Sequence, residues 1–126
     1  MTALLKANIT GVGKYLPNKI ITNHDLENLV ETDDEWIRSR TGIRERRIVE
    51  EGETSVSMST KAVQNLIKRH DLDPKEIDAI ILSTVTPDMI LPCSAALVQN
   101  NINATNAWGY DLSAACSGFL FALESG

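Results

Sequence analysis

The spacing of apolar residues alternates between helix-like and strand-like segments along the chain. From about residue 54 to 70, four apolar residues recur at helical spacing, which predicts a helix with one buried stripe. The stripe consists of Ala62, Val63, Leu66 and Ile67. Residues 77–85 form a continuous apolar run, which is typical of a strand covered on both faces. This alternation predicts an α/β fold, in which helices cover both faces of a parallel or mixed sheet.

Turn and capping residues place the other predicted elements. Thr22 is expected to cap a short helix that runs to about Val30. Thr32 is expected to cap the next helix, because Glu35 lies three residues further on and can complete a capping box, and Gly42 would end that helix. Strands are expected at 5–12 and 107–112, an extended segment at 43–49, a single turn at 73–76, and helices at 93–101 and from about 116.

Charge and composition exclude several classes of protein. The net charge of −5 argues against a protein that binds nucleic-acid phosphates. No apolar run is long enough for a membrane helix, and no signal peptide begins the chain, so we expect a cytoplasmic protein. Positive charge is concentrated in one basic segment. A solvated face balanced by neighbouring acids is enough to explain such a segment. Its arginines are Arg38, Arg40, Arg44, Arg46 and Arg47.

Cysteine and histidine spacing favours reduced thiols over a disulfide or a metal site. Cys93 and Cys116 lie in a chain without secretion signals, so we expect both to be reduced. His24 and His70 are far apart and have no metal-binding partner at a typical spacing, so no metal is expected. The predicted last helix has barely two turns before Gly126, and we expect the chain to be part of a longer protein.

Cys116 is the residue best placed for covalent chemistry. A predicted strand ends at Leu112, small residues follow, and the cysteine stands at the start of an apolar helix. Free N–H groups at a helix N-terminus favour a thiolate and can bind the oxyanion of a thioester intermediate. The alternative is that Cys116 is a small buried apolar residue. Cys93 also begins a predicted helix, but Ala114, Ala115 and Gly118 leave more room around Cys116.

Four segments together resemble β-ketoacyl-[acyl-carrier-protein] synthase III. They are Gly11–Pro17, Asp34–Ile37, Arg40–Arg46 and Ala114–Phe119, in the same order and at similar spacing as in that family. The resemblance extends over essentially all 126 residues. It implies a thiolase-like fold, of which residues 1–126 are roughly the first lobe of a duplicated structure. The cysteine segment alone would also fit other thiolase-fold enzymes.

The resemblance implies the first condensation of type II fatty acid synthesis. Cys116 would accept a short acyl group from acyl-CoA and transfer it to malonyl-acyl carrier protein, giving a 3-oxoacyl product, with its backbone N–H in the oxyanion hole. Trp36 would stack on the adenine of CoA, with Thr32 and Arg40 near the nucleotide. No cofactor is expected, because the CoA thioester is a substrate. A structural role is the alternative for each of these residues: Trp36 in a core and Thr32 as a cap.

Two departures from the family pattern affect the predicted activity. Leu91 stands where many members have an aromatic residue that reaches the acyl pocket of the other subunit in a homodimer, so chains longer or more branched than acetyl are expected to fit. The family's catalytic histidine and asparagine belong to a C-terminal lobe that residues 1–126 do not include, so the isolated chain is not expected to condense. The alternatives are a related synthase of secondary metabolism and a non-catalytic α/β module.

Overall fold

The computed structural model describes residues 7–126. It divides into two compact units. Among the described residues, the first contains 7–15 together with 55–126, and the second contains 16–54. Among the described residues, no helix is long and apolar enough to cross a bilayer.

The second unit is a small antiparallel pair of strands with two helices. Strand β1 (Lys19–Thr22) pairs with β2 (Glu45–Ile48), with Lys19 opposite Ile48. The short helix α1 (Asn23–Glu27) begins at a capping box formed by Thr22 and Asp25, which confirms the predicted cap. The helix ends at Glu27, earlier than the predicted end near Val30. Helix α2 (Asp34–Thr41) follows it.

The cap of α2 differs from the prediction. Asp33 is its N-cap residue, and its carboxylate accepts the backbone N–H of Trp36 at 2.7 Å, so the expected capping box of Thr32 and Glu35 is wrong. Aspartate and threonine both suit an N-cap, and the sequence offered them at adjacent positions. Gly42 ends the helix in the left-handed conformation, at φ 71°, as predicted.

The first unit contains a parallel strand pair and three helices. Its elements are α3 (Ser55–His70), a 3₁₀ turn (Pro74–Glu76), β3 (Ala79–Ser83), α4 (Ser94–Asn101), β4 (Trp108–Leu112), a second 3₁₀ turn (Ala115–Ser117) and α5 (Gly118–Ser125). Strands β3 and β4 pair in parallel, with Ala79 opposite Trp108. The core consists of Val56, Leu82, Ala95 and Val98, which join α3 and α4 to the strands. The helices and the crossover between parallel strands confirm the α/β class.

The predicted first strand is not present in its described part. Residues 5 and 6 lie outside the described residues, and residues 7–12 have no regular secondary structure. The segment that follows lies against α3 instead, where the backbone N–H of Lys14 donates to the Asn65 side chain at 3.2 Å. A Cβ on Gly13 would lie 2.7 Å from the Leu66 Cβ, so only glycine permits this close approach.

The parallel strands are less covered than the apolar runs predicted. Leu82 is buried, but Ile80 and Ile81 are half-buried and Trp108 is 61% exposed. Helix α4 packs against both strands, whereas the ring of Trp108 stacks on that of Tyr110 with centroids 5.9 Å apart. Residues 7–126 therefore cover these strands only in part, and the expectation of full burial is wrong for this chain.

Candidate active site

Cys116 lies in a tight turn between a strand and a helix. Strand β4 ends at Leu112, the cysteine occupies the 3₁₀ turn, and α5 begins two residues later at Gly118. Ala115, immediately before the cysteine, has φ 44°, which costs a non-glycine residue on the order of 1 kcal/mol. Such strain is typical of turns that present a reactive side chain. The thiol is free and exposed.

Cys116 lines an open, largely apolar depression in the surface, which we term the Cys116 cavity. Its volume is about 790 Å³. Strand β3 forms one wall through residues 80–83, α5 contributes Phe119 and Leu123, and α3 contributes Ala62 and Val63. The cavity therefore has room for a small acyl group beside the sulfur, and its apolar walls suit a hydrocarbon chain.

Gly118 allows the first turn of α5 to approach the end of β3. This glycine is buried, and a Cβ at this position would overlap the Ser83 hydroxyl and lie 3.3 Å from the Ser83 Cβ. Since Cys116 is only two residues away, the contact also fixes the position of the thiol. The sequence suggested that Gly118 leaves free space around the sulfur, whereas in the structure this glycine permits helix–strand packing.

Asp111 fixes the strand that leads to the cysteine. Its two carboxylate oxygens accept the backbone N–H groups of Ser94 at 2.7 Å and Ala95 at 2.8 Å. Cys93, the N-cap residue of α4, makes no side-chain cap hydrogen bond, so Asp111 supplies the cap from β4. Sequence reasoning missed this role, because the aspartate and the helix it caps are 16 or 17 residues apart.

The three residues expected at the CoA site lie together on the second unit. Thr32 and Trp36 line one shallow cleft of about 460 Å³. The Arg40 guanidinium lies 4.5 Å from the centre of the Trp36 ring, and the tryptophan is 52% exposed. An exposed indole with a cation on one face is available for stacking, and Trp36 is not a core residue.

Most arginines of the basic segment have partners within the second unit. Arg38 forms an ion pair with Asp34 at 3.2 Å, one turn earlier on α2. Arg46 donates to Asn23, and Arg47 donates to the Pro17 carbonyl at 3.2 Å. Neighbouring acids therefore balance Arg38 and, through Glu45 at 3.8 Å, Arg47, whereas Arg46 donates to a neutral amide, so the expected balance by acids is confirmed only in part. Arg40 instead stacks on the Trp36 ring.

Asn23 organises a polar network that the sequence did not reveal. The side chain is 1% exposed and donates to a carboxylate oxygen of Asp34 at 2.8 Å. That hydrogen bond holds the pKa of the Asp34 carboxyl below its ordinary value, and the Arg38 guanidinium acts in the same direction. The sequence showed only that Asn23 begins a helix.

Leu91 lies in the loop between β3 and α4, and Cys93 is the last residue before α4. The Leu91 side chain is 85% exposed, and its neighbour Ile90 is 94% exposed. Cys93 is half-buried, and its sulfur lies 4.0 Å from the Gly109 carbonyl oxygen. The two cysteines therefore differ in access, because Cys116 is exposed at a cavity and Cys93 is partly enclosed.

Curated sequences and solved structures resemble the chain over most of its length. β-Ketoacyl-[acyl-carrier-protein] synthase III of Chlorobium phaeobacteroides is 51% identical over 122 residues, which are 96% of this chain and 37% of that protein. The crystal structure of 3-oxoacyl-[acyl-carrier-protein] synthase III from Aquifex aeolicus superposes with a TM-score of 0.86 at 49% identity, over 91% of this chain and 37% of that one. No family model matches the chain.

A third comparison comes from a different pathway. The priming β-ketosynthase of the R1128 polyketide biosynthetic pathway is 39% identical, with a TM-score of 0.86 over 91% of this chain and 34% of that one. The chain therefore spans little more than a third of the length of the proteins it matches.

The fold and the strand–turn–cysteine–helix arrangement define a thiolase-like α/β structure of the kind found in condensing enzymes. Within that class, the chain is similar to β-ketoacyl-[acyl-carrier-protein] synthase III over nearly all of its residues, at about half identity. The resemblance stated from the sequence is thereby confirmed.

Proposed function

We propose that the chain supplies the acyl-accepting cysteine and the CoA-binding helix of a β-ketoacyl-[acyl-carrier-protein] synthase III. The observation that carries this proposal is the exposed Cys116 thiol, held in a strained turn beside a cavity of about 790 Å³. About 50% identity to synthases of that name supports the same reaction. Because the chain spans 37% of those relatives, the activity belongs to the complete protein.

The first half-reaction is acyl transfer to sulfur. The Cys116 thiolate attacks the thioester carbonyl of acyl-CoA, and a carbon–sulfur bond forms as the carbonyl oxygen gains negative charge. The backbone N–H of Cys116 donates to that oxygen. The intermediate then breaks its bond to the CoA sulfur, which leaves as a thiolate and takes up a proton. The acyl chain extends into the Cys116 cavity, whose apolar walls favour it over water.

The second half-reaction is a decarboxylative condensation. Malonyl-acyl carrier protein loses CO₂, and the carbanion that remains attacks the acyl-cysteine carbonyl. The carbon–carbon bond forms, the Cys116 thiolate leaves, and a 3-oxoacyl carrier protein is released. Histidine and asparagine side chains from outside residues 1–126 stabilise the charge that develops on the malonyl thioester. Residues 1–126 alone would therefore be acylated without condensing.

The second unit binds the nucleotide part of the donor. Trp36 stacks on the adenine, and Arg40, already against the indole at 4.5 Å, contacts phosphate. Thr32 lines the same cleft. Base stacking on an aromatic side chain is worth about 1–3 kcal/mol, so Trp36→Ala should raise the KM for acyl-CoA roughly tenfold. Trp36→Phe is the matched comparison, since a phenyl ring keeps an aromatic face for stacking and should retain most of the affinity.

Leu91 sets the acyl chain length in a homodimer of the complete enzyme. Its side chain is 85% exposed, so it is available to another subunit. Leucine is smaller than the aromatic residue common at this position and leaves room for longer or branched chains. Acylation rates with acetyl-, isobutyryl- and hexanoyl-CoA measure this preference. A strict preference of the wild type for acetyl-CoA would contradict this role of Leu91. In Leu91→Phe, the larger side chain should produce a strict preference for acetyl-CoA.

The reaction is tested by following CO₂ release from malonyl-acyl carrier protein in the presence of acetyl-CoA. The complete protein should release CO₂ and form the 3-oxoacyl product, Cys116→Ala should form none, and Cys93→Ser should retain activity. The competing hypothesis of a non-catalytic module predicts no product. It also predicts that iodoacetamide alkylates Cys116 no faster than Cys93 at any pH.

The second candidate is a priming synthase of secondary metabolism. The structural likeness to the R1128 priming β-ketosynthase, at 39% identity, favours it as the alternative. Trp36 and Arg40 fit a CoA donor in both cases and do not distinguish the acceptors. Comparing malonyl-acyl carrier protein with malonyl-CoA as the acceptor separates the candidates, because fatty acid synthesis requires the carrier protein.

A further inference from the structure

Asn23 is a fully hydrogen-bonded polar side chain inside the second unit. Its amide nitrogen donates to the Asp34 carboxylate and to the Ile43 carbonyl oxygen, both at 2.8 Å. Its amide oxygen accepts from the Arg46 guanidinium at 2.9 Å. The side chain is 1% exposed, so each of these bonds replaces a bond to water that burial has removed.

The two acceptors of the Asn23 amide lie at opposite ends of helix α2. Asp34 is the first residue of α2, and Ile43 follows the Gly42 cap at its other end. One side chain therefore connects both ends of an eight-residue helix to the start of α1. The backbone N–H of Asn23 adds a further connection to the Arg44 carbonyl at 3.2 Å.

Apolar packing alone does little to hold α2. Ile37 is the buried residue of this helix, whereas Trp36 is 52% exposed and Arg40 is also exposed. A helix with one buried apolar side chain depends on its end contacts for a fixed position. The Asn23 network therefore holds the helix whose exposed face carries the candidate CoA-binding pair.

We propose that Asn23 is a positioning residue for the acyl donor: it holds α2 so that Trp36 and Arg40 meet the CoA nucleotide. This role rests on the proposed function for its ligand, and its structural part, the fixed position of α2, can be measured without any substrate. Asn23 itself is buried, so it is assigned to positioning and not to ligand contact.

The informative variant is Asn23→Asp, which keeps the shape and removes both N–H donors. It also places a second carboxylate beside that of Asp34. Amide hydrogen exchange across α2 should become at least about tenfold faster, because two buried hydrogen bonds are lost. In the complete enzyme, the KM for acyl-CoA should rise about tenfold, while kcat and the KM for malonyl-acyl carrier protein stay within about twofold.

The matched control is Asn28→Asp, the same chemical change at an exposed position. The side chain of Asn28, the C-cap residue of α1, donates to the His24 carbonyl oxygen and makes no hydrogen bond with α2 in the described part of the chain. This variant should show wild-type exchange in α2 and a wild-type KM for acyl-CoA.

A second pair of variants covers the case in which Asn23→Asp does not fold. Asp34→Ala removes one acceptor of the Asn23 amide at a half-buried position, and Asp34→Asn retains an oxygen that can accept the same hydrogen bond. We expect faster exchange in α2 and a KM for acyl-CoA several-fold higher in Asp34→Ala. Asp34→Asn should restore both values to near wild type.

Two results would overturn the role of Asn23. The first is unchanged α2 exchange in Asn23→Asp, or in Asp34→Ala if Asn23→Asp does not fold. The second is a loss of kcat with an unchanged KM for acyl-CoA. A wild-type enzyme that takes no acyl group from acyl-CoA would instead refute the proposed function, and with it the ligand assigned to α2. The two failures are distinguishable, because a failure of the proposed function appears in the wild type, whereas a failure of the Asn23 role appears only in the variants.

Discussion

Removal of the Asp111 carboxylate should destabilise the first unit measurably. In the variant Asp111→Ala, the N–H groups of Ser94 and Ala95 lose acceptors at 2.7 and 2.8 Å. Hydrogen bonds to a charged group contribute about 1.5–3 kcal/mol each when buried, and loss of a helix cap costs about 1 kcal/mol. Since Asp111 is half-buried, we expect a loss of about 2–3 kcal/mol in the free energy of unfolding.

A second substitution tests whether capping is the cause. Cys93 occupies the N-cap position of α4 with extended backbone angles and makes no side-chain cap hydrogen bond. In Cys93→Ser, a hydroxyl at this position can accept an N–H in the first turn of α4. The serine should therefore restore about 1 kcal/mol in the Asp111→Ala background and change the wild type little, because Asp111 already caps the helix there.

Urea denaturation of the four proteins in this double-mutant cycle measures the coupling. Asp78→Ala is the matched control, because Asp78 is exposed next to β3 and makes no side-chain hydrogen bond or ion pair within residues 7–126. It should change stability by less than about 0.5 kcal/mol. An Asp111→Ala variant as stable as this control, or a Cys93→Ser effect that is equal in both backgrounds, would refute the capping role.

Three further predictions concern stability, and each is measured by urea denaturation. Ser94→Ala should be neutral or stabilising by up to about 1 kcal/mol, because this buried hydroxyl lacks a partner within the described part of the chain; a clear loss would contradict this. Gly13→Ala should cost about 2 kcal/mol or more through overlap with α3, and a neutral result would exclude that contact. The pKa of Asp34 is lowered from 3.8, so the contribution of this carboxylate to the free energy of unfolding is present above pH 3.8 and is lost as the pH falls below that value. Asp34→Asn should reduce this loss of stability at low pH, and an unchanged pH profile of stability would refute the contribution.

Local sequence signals predicted the helices better than the details of their ends. Gly42 and the Thr22 cap were identified correctly, because each acts within a few residues of its own position. Thr32 and Asp33 are adjacent, and both are good N-cap residues, so propensity alone could not choose between them. The bounds of the 16-residue helix α3 were predicted correctly, but its predicted apolar stripe is only half-buried, and Val56 and Thr60 are the buried residues of this helix.

Contacts between distant positions could not be predicted. Asn23 binds residues 11, 20 and 23 positions away, and Asp111 caps two N–H groups that lie 16 and 17 residues before it. Neither residue type signals a buried partner, since asparagine and aspartate are common at exposed turns. The exposure of Trp108 could not be predicted either, because an apolar run does not show how much of a strand the rest of the chain covers.

The candidate site residues come from motifs in the sequence, and the roles of Cys116, Thr32, Trp36 and Arg40 stay predictions. Cys116 lies at a turn before an apolar helix and beside a cavity, although α5 itself begins at Gly118. Thr32 and Trp36 share one cleft, and Arg40 stacks on the indole, as residues four apart on a helix can. The Asn23 network and the Asp111 cap, which hold these parts in place, emerged only from the structure.

The central claim is that the Cys116 sulfur accepts the acyl group. It is tested by incubating the complete protein with acetyl-CoA in the absence of malonyl-acyl carrier protein and locating the acetyl group by peptide mass spectrometry. The account predicts one acetyl group on Cys116, in the wild type and in Cys93→Ser, and none in Cys116→Ala. An unmodified Cys116, or an acetyl group on Cys93 instead, would contradict it.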